Sequence, residues 1–141
     1  MKKFFSTKVN TNAVNMWLLI SRTAAGAIML THGIPKLNKF IAGNIHFADP
    51  FGIGPAMSLA LVVFAEVICS VLLILGLATR FAAIPLIITL LVAIFYAHAA
   101  DPFARKEVPT LLLLFFTGFL ILGAGTYSFD RLISGKSKSR Y

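Results

Sequence analysis

Ionisable side chains set inside or beside long apolar runs are the residues of this sequence best placed to do chemistry. Arg22 and Glu66 each lie well within such a run. A charge at the centre of a bilayer costs at least about 2.5–3.5 kcal/mol, so residues of this kind mark proton or substrate sites. Arg22 stands eight residues into the first run, about 12 Å from its edge at 1.5 Å per helical residue. Glu66 stands eleven residues into the second, about 16 Å from the opposite edge. Opposite charges at matched depth are expected to form an ion pair. Removing one partner of a buried pair typically costs about 3–5 kcal/mol. The plainer reading is that this pair only fixes the register of two helices. The functional reading puts Glu66 on the floor of a polar cavity, with Cys69 and Ser70 one turn away on the same face. Cys69 is more often a small packing residue than a reactive thiol. It is the only cysteine, which excludes disulfide frameworks, multi-thiolate metal sites and a self-contained C-x-x-C exchange activity.

A second group collects where the runs end. His32 closes the first, and His98 nears the close of the third. Asp101 follows His98 by three residues, and Glu107 opens the fourth. Lys36, Arg105 and Lys106 are near them in sequence. Converging helix ends would let His32, His98, Asp101 and Glu107 line the mouth of a cavity leading to Glu66. Histidine moves protons near neutral pH or ligates metal. No H-x-x-x-H or E-x-x-H pair lies on one helix, so no metal site is expected. The catalytic candidates are therefore Glu66, His98 and His32. The cavity candidates are Arg22, Cys69, Asp101, Glu107 and Lys36. No phosphate loop, nucleophile elbow or haem-attachment motif accompanies them.

The elements that must position these residues follow from composition. Of 141 residues, 58% are hydrophobic and 13% charged. Soluble domains average about 45–50% and about 25%, so a soluble enzyme and a disordered chain are both disfavoured. A net charge of +8 would suit nucleic acid, but the charges sit at the ends and in breaks between apolar runs. That placement is typical of membrane proteins, and no nucleic-acid partner is expected. The apolar runs predict transmembrane helices over about 14–33, 55–77, 81–100 and 108–125, with an outer loop over 34–54. A core about 30 Å thick needs about 20 helical residues, and strand alternation is lacking. The reading is a single membrane domain, 1–141: an all-α, four-helix transmembrane bundle. The basic N-terminus precedes an apolar stretch too long for a signal peptide and is read as a retained first helix.

Several details refine this plan. Pro55 and Pro109 are read as helix starts, where a missing N–H is harmless. Gly76 precedes a tight turn that makes helices two and three antiparallel neighbours. Small residues mark helix contacts: Arg22, Gly26, Met29 and Gly33 on helix one. Helix four offers Glu107, Leu111, Leu114, Gly118, Ile121 and Gly125. A weak echo links His32 and Pro35 with His98 and Pro102, a plan some transporters use. Glu66 has no counterpart in it, the equivalent offset being Leu120. For orientation, Lys2, Lys3, Lys8, Arg80, Arg131, Lys136, Lys138 and Arg140 share one side. Lys36, Lys39, Arg105 and Lys106 share the other, which puts both termini in the cytoplasm. Trp17 and Tyr127 then fall at the inner interface, and the tail 134–141 is expected to be loose.

Taken in order, these segments resemble the DoxX family of small four-helix membrane proteins. The matching residues begin with Arg22-x-x-x-Gly26 and His32-Gly33-x-x-Lys36-Leu37. Phe64-Ala65-Glu66 and Leu75-Gly76-Leu77-Ala78-Thr79-Arg80 follow. Then come Phe95-x-x-His98, Asp101-Pro-Phe103, Lys106-Glu107 and Gly123-x-Gly125-x-Tyr127-Ser128-x-Asp130-Arg131. The resemblance implies a bacterial cytoplasmic-membrane protein with Arg22, His32, Glu66, His98 and Glu107 as its polar positions. It further implies a link to quinone-coupled oxidation of sulfur compounds or to complexes that handle thiol and oxidative stress. The expected function is a redox-associated membrane subunit that binds a small molecule, with quinone as the implied cofactor. Redox partner proteins, a homo-oligomer and the lipid bilayer are its expected partners. Two other readings stand beside it: a small-molecule or ion transporter, and a structural scaffold subunit.

Overall fold

A computed structural model of the chain describes residues 7–135. Among the described residues the secondary structure is helical throughout, with no strand. Helix α1 is Thr11–Ile41 and α2 is Pro55–Leu75. Helix α3 is Thr79–Ala97, α4 is Phe103–Leu122, and the short α5 is Phe129–Ile133. Helices α1, α2 and α3 are long and apolar enough to cross a membrane. Helix α4 carries Arg105, Lys106 and Glu107 in its first turns. Its apolar remainder, 108–122, falls short of the about 20 residues a span needs.

Local chemistry sets the ends of these helices, and two of them differ from the sequence expectation. Asn10 caps α1, its side chain accepting from the amides of Asn12 and Ala13. The helix does not stop at Gly33 but runs through Pro35 to Ile41. A proline inside a helix removes one hydrogen bond and weakens the turn before it. Here a side chain of the added turns, Lys36, makes a tertiary contact that offsets this cost. The connection between α1 and α2 is thereby shortened to residues 42–54. Helix α4 likewise starts at Phe103 rather than near 108, after Pro102 in an extended conformation. Pro109 sits inside α4 rather than at its start, whereas Pro55 does open α2. The second and fourth helices therefore do not share a proline start.

Helix α2 ends on Gly76, which is left-handed at φ 69°. Its amide donates to the Leu73 carbonyl and that of Leu77 to the Leu72 carbonyl. This is the glycine-terminated helix end that only a residue without Cβ adopts cheaply. After it, Asp130 closes the turn from far along the chain. Its carboxylate accepts the amides of Ala78 (2.6 Å) and Thr79 (2.9 Å), the free donors at the start of α3. Its own amide donates to the Gly76 carbonyl at 2.8 Å.

The long helices pack in a ring, α1 on α2, α2 on α3, α3 on α4 and α4 on α1. Leu18, Met29, Leu73, Leu86, Leu90, Leu112, Phe116 and Phe119 form the core between them. The predicted stripe of α1 does face inward: Arg22, Gly26, Met29 and Gly33 are all buried. A Cβ on Gly26 would press on Ile74, and one on Gly33 on the Glu66 backbone at 2.9 Å. The predicted stripe of α4 does not. Its buried residues are Leu112, Phe116 and Phe119, while Leu111, Leu114 and Ile121 are well exposed. The two faces are offset by about two-fifths of a turn, and apolar residues occupy both, so hydrophobicity alone did not choose between them. Large exposed apolar side chains, such as Phe81, Phe95, Leu114 and Ile121, ring the outside. A soluble monomer rarely shows such a surface, and lipid accommodates it. Of the basic residues used for orientation, Lys2, Lys3, Lys136, Lys138 and Arg140 lie outside the described residues, as does most of the 134–141 tail.

Because Asp130 alone satisfies two donors at the head of α3, Asp130→Ala should lower stability by about 1–2 kcal/mol. Denaturant unfolding in detergent, read by helical circular dichroism, checks this, and Asp130→Asn should recover part of the loss.

Candidate functional site

Arg22 and Glu66 do not pair. Gly33 touches Glu66, and Gly33 is eleven residues along α1 from Arg22, about 16 Å at helical rise. The expected match in depth rested on a first helix that began and ended elsewhere. With α1 running from Thr11 to Ile41, Arg22 falls beside Gly76 at the end of α2, whereas Glu66 stays at the middle of α2.

Arg22 belongs to the end that holds the α2–α3 turn. It is 1% exposed and binds backbone, Nη1 donating to the Ala124 carbonyl (2.7 Å) and Nη2 to that of Tyr127 (2.9 Å). These carbonyls sit in the bend between α4 and α5, which has no helical partners for them. Asn15 accepts the Thr126 amide at 3.0 Å, and Arg80 donates to the Ile121 carbonyl at 3.2 Å. A Cβ on Gly76 would overlap the Arg22 guanidinium. The cluster clamps the C-terminal bend under the helices, which is a structural task.

Glu66 lies at the middle of α2, away from that end. It is 3% exposed, and its Oε1 meets Lys36 Nζ at 2.5 Å. The Lys36 side chain is 31% exposed, so the ammonium bridges a buried carboxylate and solvent. Gly33 makes the pairing reachable: without a Cβ, α1 crosses directly over Glu66, and Lys36 one turn on reaches it. His32, exposed, lies within electrostatic reach of Glu66 but makes no hydrogen bond to it.

Glu66, Lys36 and His98 line one cavity of about 450 Å³. Otherwise its walls are largely apolar: Phe47 and Phe51 from the 42–54 loop, Val62 and Phe64 from α2, Ile88 and Val92 from α3. Ligand pockets of about 300–1,000 Å³ with a few polar groups on apolar walls are the usual form of a small-molecule site. Two helical segments on its wall are π-helical, Phe64–Cys69 around Glu66 and Ala93–Ala97 just before His98. Such turns occur preferentially at functional sites.

At the edge of the cavity His98 donates from Nδ1 to Asp101 at 2.7 Å, and Arg105 stands 3.5 Å from the same oxygen. An ionised carboxylate only accepts, so the Nδ1 proton is the one shared. The His98 hydrogen bond, and then the Arg105 charge, hold the Asp101 carboxyl below the usual carboxylate range. Asp49 is held low as well, first by the Ser58 hydroxyl and then by the amides of Gly54 and Ile53. Through these bonds Asp49 fastens the 42–54 loop to the start of α2.

The other candidates lie elsewhere. Cys69 is buried in the core and does not line the cavity. Glu107 is exposed near the start of α4, away from the cavity wall, because α4 begins a turn earlier than expected. Asp101 acts on the cavity through His98 alone. Sequence reasoning missed the Asp49–Ser58 fastening, although an acid shortly before a Gly-Pro helix start is a capping signal. It also missed the pairing of Lys36 with Glu66, which requires α1 to continue past a proline.

This is a helical integral membrane protein with a mostly apolar cavity bearing a buried acid and its ammonium partner. A family model described as DoxX matches residues 17–99, more than half of the chain, and the chain belongs to the DoxX family. The matched stretch includes Arg22, His32, Lys36, Glu66 and His98, and ends before Asp101 and Glu107. No curated protein and no solved structure matches the chain.

Two predictions follow from the pairings. In double-mutant cycles, Lys36→Met with Glu66→Gln should show a coupling above about 1 kcal/mol, and Arg22→Met with Glu66→Gln one within about 0.5 kcal/mol of zero. Because the folded Asp101 carboxyl is depressed, its contribution is complete above the ordinary carboxylate pKa of about 4 and is lost as pH falls through the lowered value. Thermal melts between pH 6 and 3 should therefore fall more steeply in the wild type than in Asp101→Asn.

Proposed function

We propose that this DoxX protein is a redox-associated subunit of the bacterial cytoplasmic membrane that binds a quinone-like molecule in the Glu66 cavity. In this reading α4 completes a bundle of four crossing helices and both termini face the cytoplasm. The larger count of Lys and Arg on the terminal side supports that orientation. The observation that carries the function is the convergence of Lys36, Glu66 and His98 on a single apolar-walled cavity of about 450 Å³.

The residues fit a quinone ring. Its apolar body suits Phe47, Val62, Ile88 and Val92, and its carbonyl oxygens suit the Lys36 ammonium. When bound, a quinone supplies reversible two-electron, two-proton chemistry. The chain's share is to orient the ring and to hold or pass protons at Glu66 and His98. Lys36 holds Glu66 Oε1 at the cavity wall, and Asp101 fixes which His98 nitrogen faces away from the ring. In this reading a redox partner protein supplies the electrons.

The test is to purify the protein in mild detergent, extract it with organic solvent and identify bound lipids by mass spectrometry. A co-purifying quinone is expected, depleted in Glu66→Gln and in His98→Ala. Equal recovery from both variants would sink the site, and no quinone at all would sink the ligand.

A further inference from the structure

The course of α2 and α3 sets where the cavity opens. The two helices pack on each other from their shared turn up to the π-helical stretch Phe64–Cys69. Beyond it, Pro55–Val63 packs on α1 and leaves α3. The last turns of α3, Ala93–Ala97, pack on α4. The two helices therefore diverge toward the 42–54 loop, and the cavity lies in the cleft between them, with Lys36 reaching in from α1. Ala65, Glu66, Thr89 and Val92 are its inner wall. Leu61 and Phe64 on α2 and Ile88 on α3 line the same cavity yet are about half exposed. Side chains that do both mark the lip of an opening.

Depth decides what lies against that lip. Phe64 is the tenth of the 21 residues of α2, and Ile88 the tenth of the 19 of α3. Each is about 14 Å of helix from the start of its span. That is near the middle of a hydrocarbon core about 30 Å thick. The lip therefore faces acyl chains. The end of the cavity nearer water is covered instead. The 42–54 loop lays Phe47, Pro50 and Phe51 along it, and Asp49 fastens this loop through the Ile53 and Gly54 amides and the Ser58 hydroxyl.

We infer that the cavity is entered sideways from the bilayer, through the cleft between α2 and α3, and that its ligand is a chain-bearing molecule dissolved in the membrane. The polar ring seats inside near Lys36 and Glu66, and the chain trails past Leu61, Phe64 and Ile88 into lipid. Acyl chains are as apolar as the leucine and isoleucine of the lip, so the trailing chain neither gains nor loses much. This rests on the cavity being a ligand site. It adds the side from which the ligand comes and the form it takes.

Tagged nanodiscs that hold the protein are mixed with empty ones and recaptured, and the excess of each probe in them is counted by mass spectrometry. The probes are duroquinone, which has no chain, and its analogue with an octadecyl chain in place of one methyl group. That chain and the ring do not fit together inside about 450 Å³, so the analogue seats only if its chain can leave. Measured per mole of lipid, which removes the difference in partitioning, the two should bind within about threefold of each other. In Leu61→Trp/Ile88→Trp, which narrows the lip, the octadecyl analogue should lose at least about tenfold in affinity and duroquinone less than about threefold. Exclusion of the octadecyl analogue from the wild type, or an equal response of both probes to the double variant, would overturn the lateral entrance and leave the cavity as a ligand site. No saturable excess of either probe in the wild type would overturn the ligand reading beneath it.

Discussion

A carboxylate carried into an apolar helix pack has to be met by a cation, and Glu66 is met by Lys36. Much of the structure beside the cavity is arranged around that requirement. Burying an unpaired charge costs several kcal/mol even after relaxation, so the pair cannot be loosely made. Lys36 lies beyond a proline on α1, and the helix must continue past it to place the ammonium. Helix α1 must also pass close to α2, which Gly33 allows by having no side chain to keep the backbones apart. The contact leaves Lys36 half in water and Glu66 sealed, so the pair marks the boundary between the cavity and the outside.

Arg22 solves the equivalent problem mainly with backbone carbonyls, with Asp130 within electrostatic reach. Its guanidinium is spent on the carbonyls of Ala124 and Tyr127, groups that a bend under the helices would otherwise leave unsatisfied. Arginine suits this role because its planar fork stays charged and donates in two directions at once. Asp130 completes the arrangement by serving the amides that open α3. The two buried charges thus divide the work. One closes the end that holds the α2–α3 turn and the other equips the cavity, with Leu73, Leu86 and Phe116 filling the space between them.

What could be read from the sequence follows the same division. Long apolar runs declare helices, and Gly76 declares a helix end, because both depend on local composition. The polar residues were recognisable as unusual for the same reason: an ionisable group in an apolar run stands out whatever its partner. Their partners were not recognisable. Pairing depends on depth, depth depends on helix ends, and the ends of α1 and α4 were set by tertiary contacts rather than by Pro35 and Pro109. An error of two turns moves a charge by about 11 Å, enough to exchange one partner for another. The inward face of α4 was hidden because leucine and phenylalanine occupy both its faces, one packed on protein and the other suited to lipid.

The π-helical turns were hidden most completely, and they bear most directly on the cavity. A π-helical turn admits an extra residue and shifts every side chain after it around the helix axis. One such turn holds Glu66 and the other runs up to His98, on the two helices whose faces form the opposing walls. A regular helix over Phe64–Cys69 would carry the residues on either side of Glu66 at a different rotation. The backbone departs from its most stable form where a buried acid and an open space must be kept side by side. Helical regularity is therefore given up at the cavity and retained through the core.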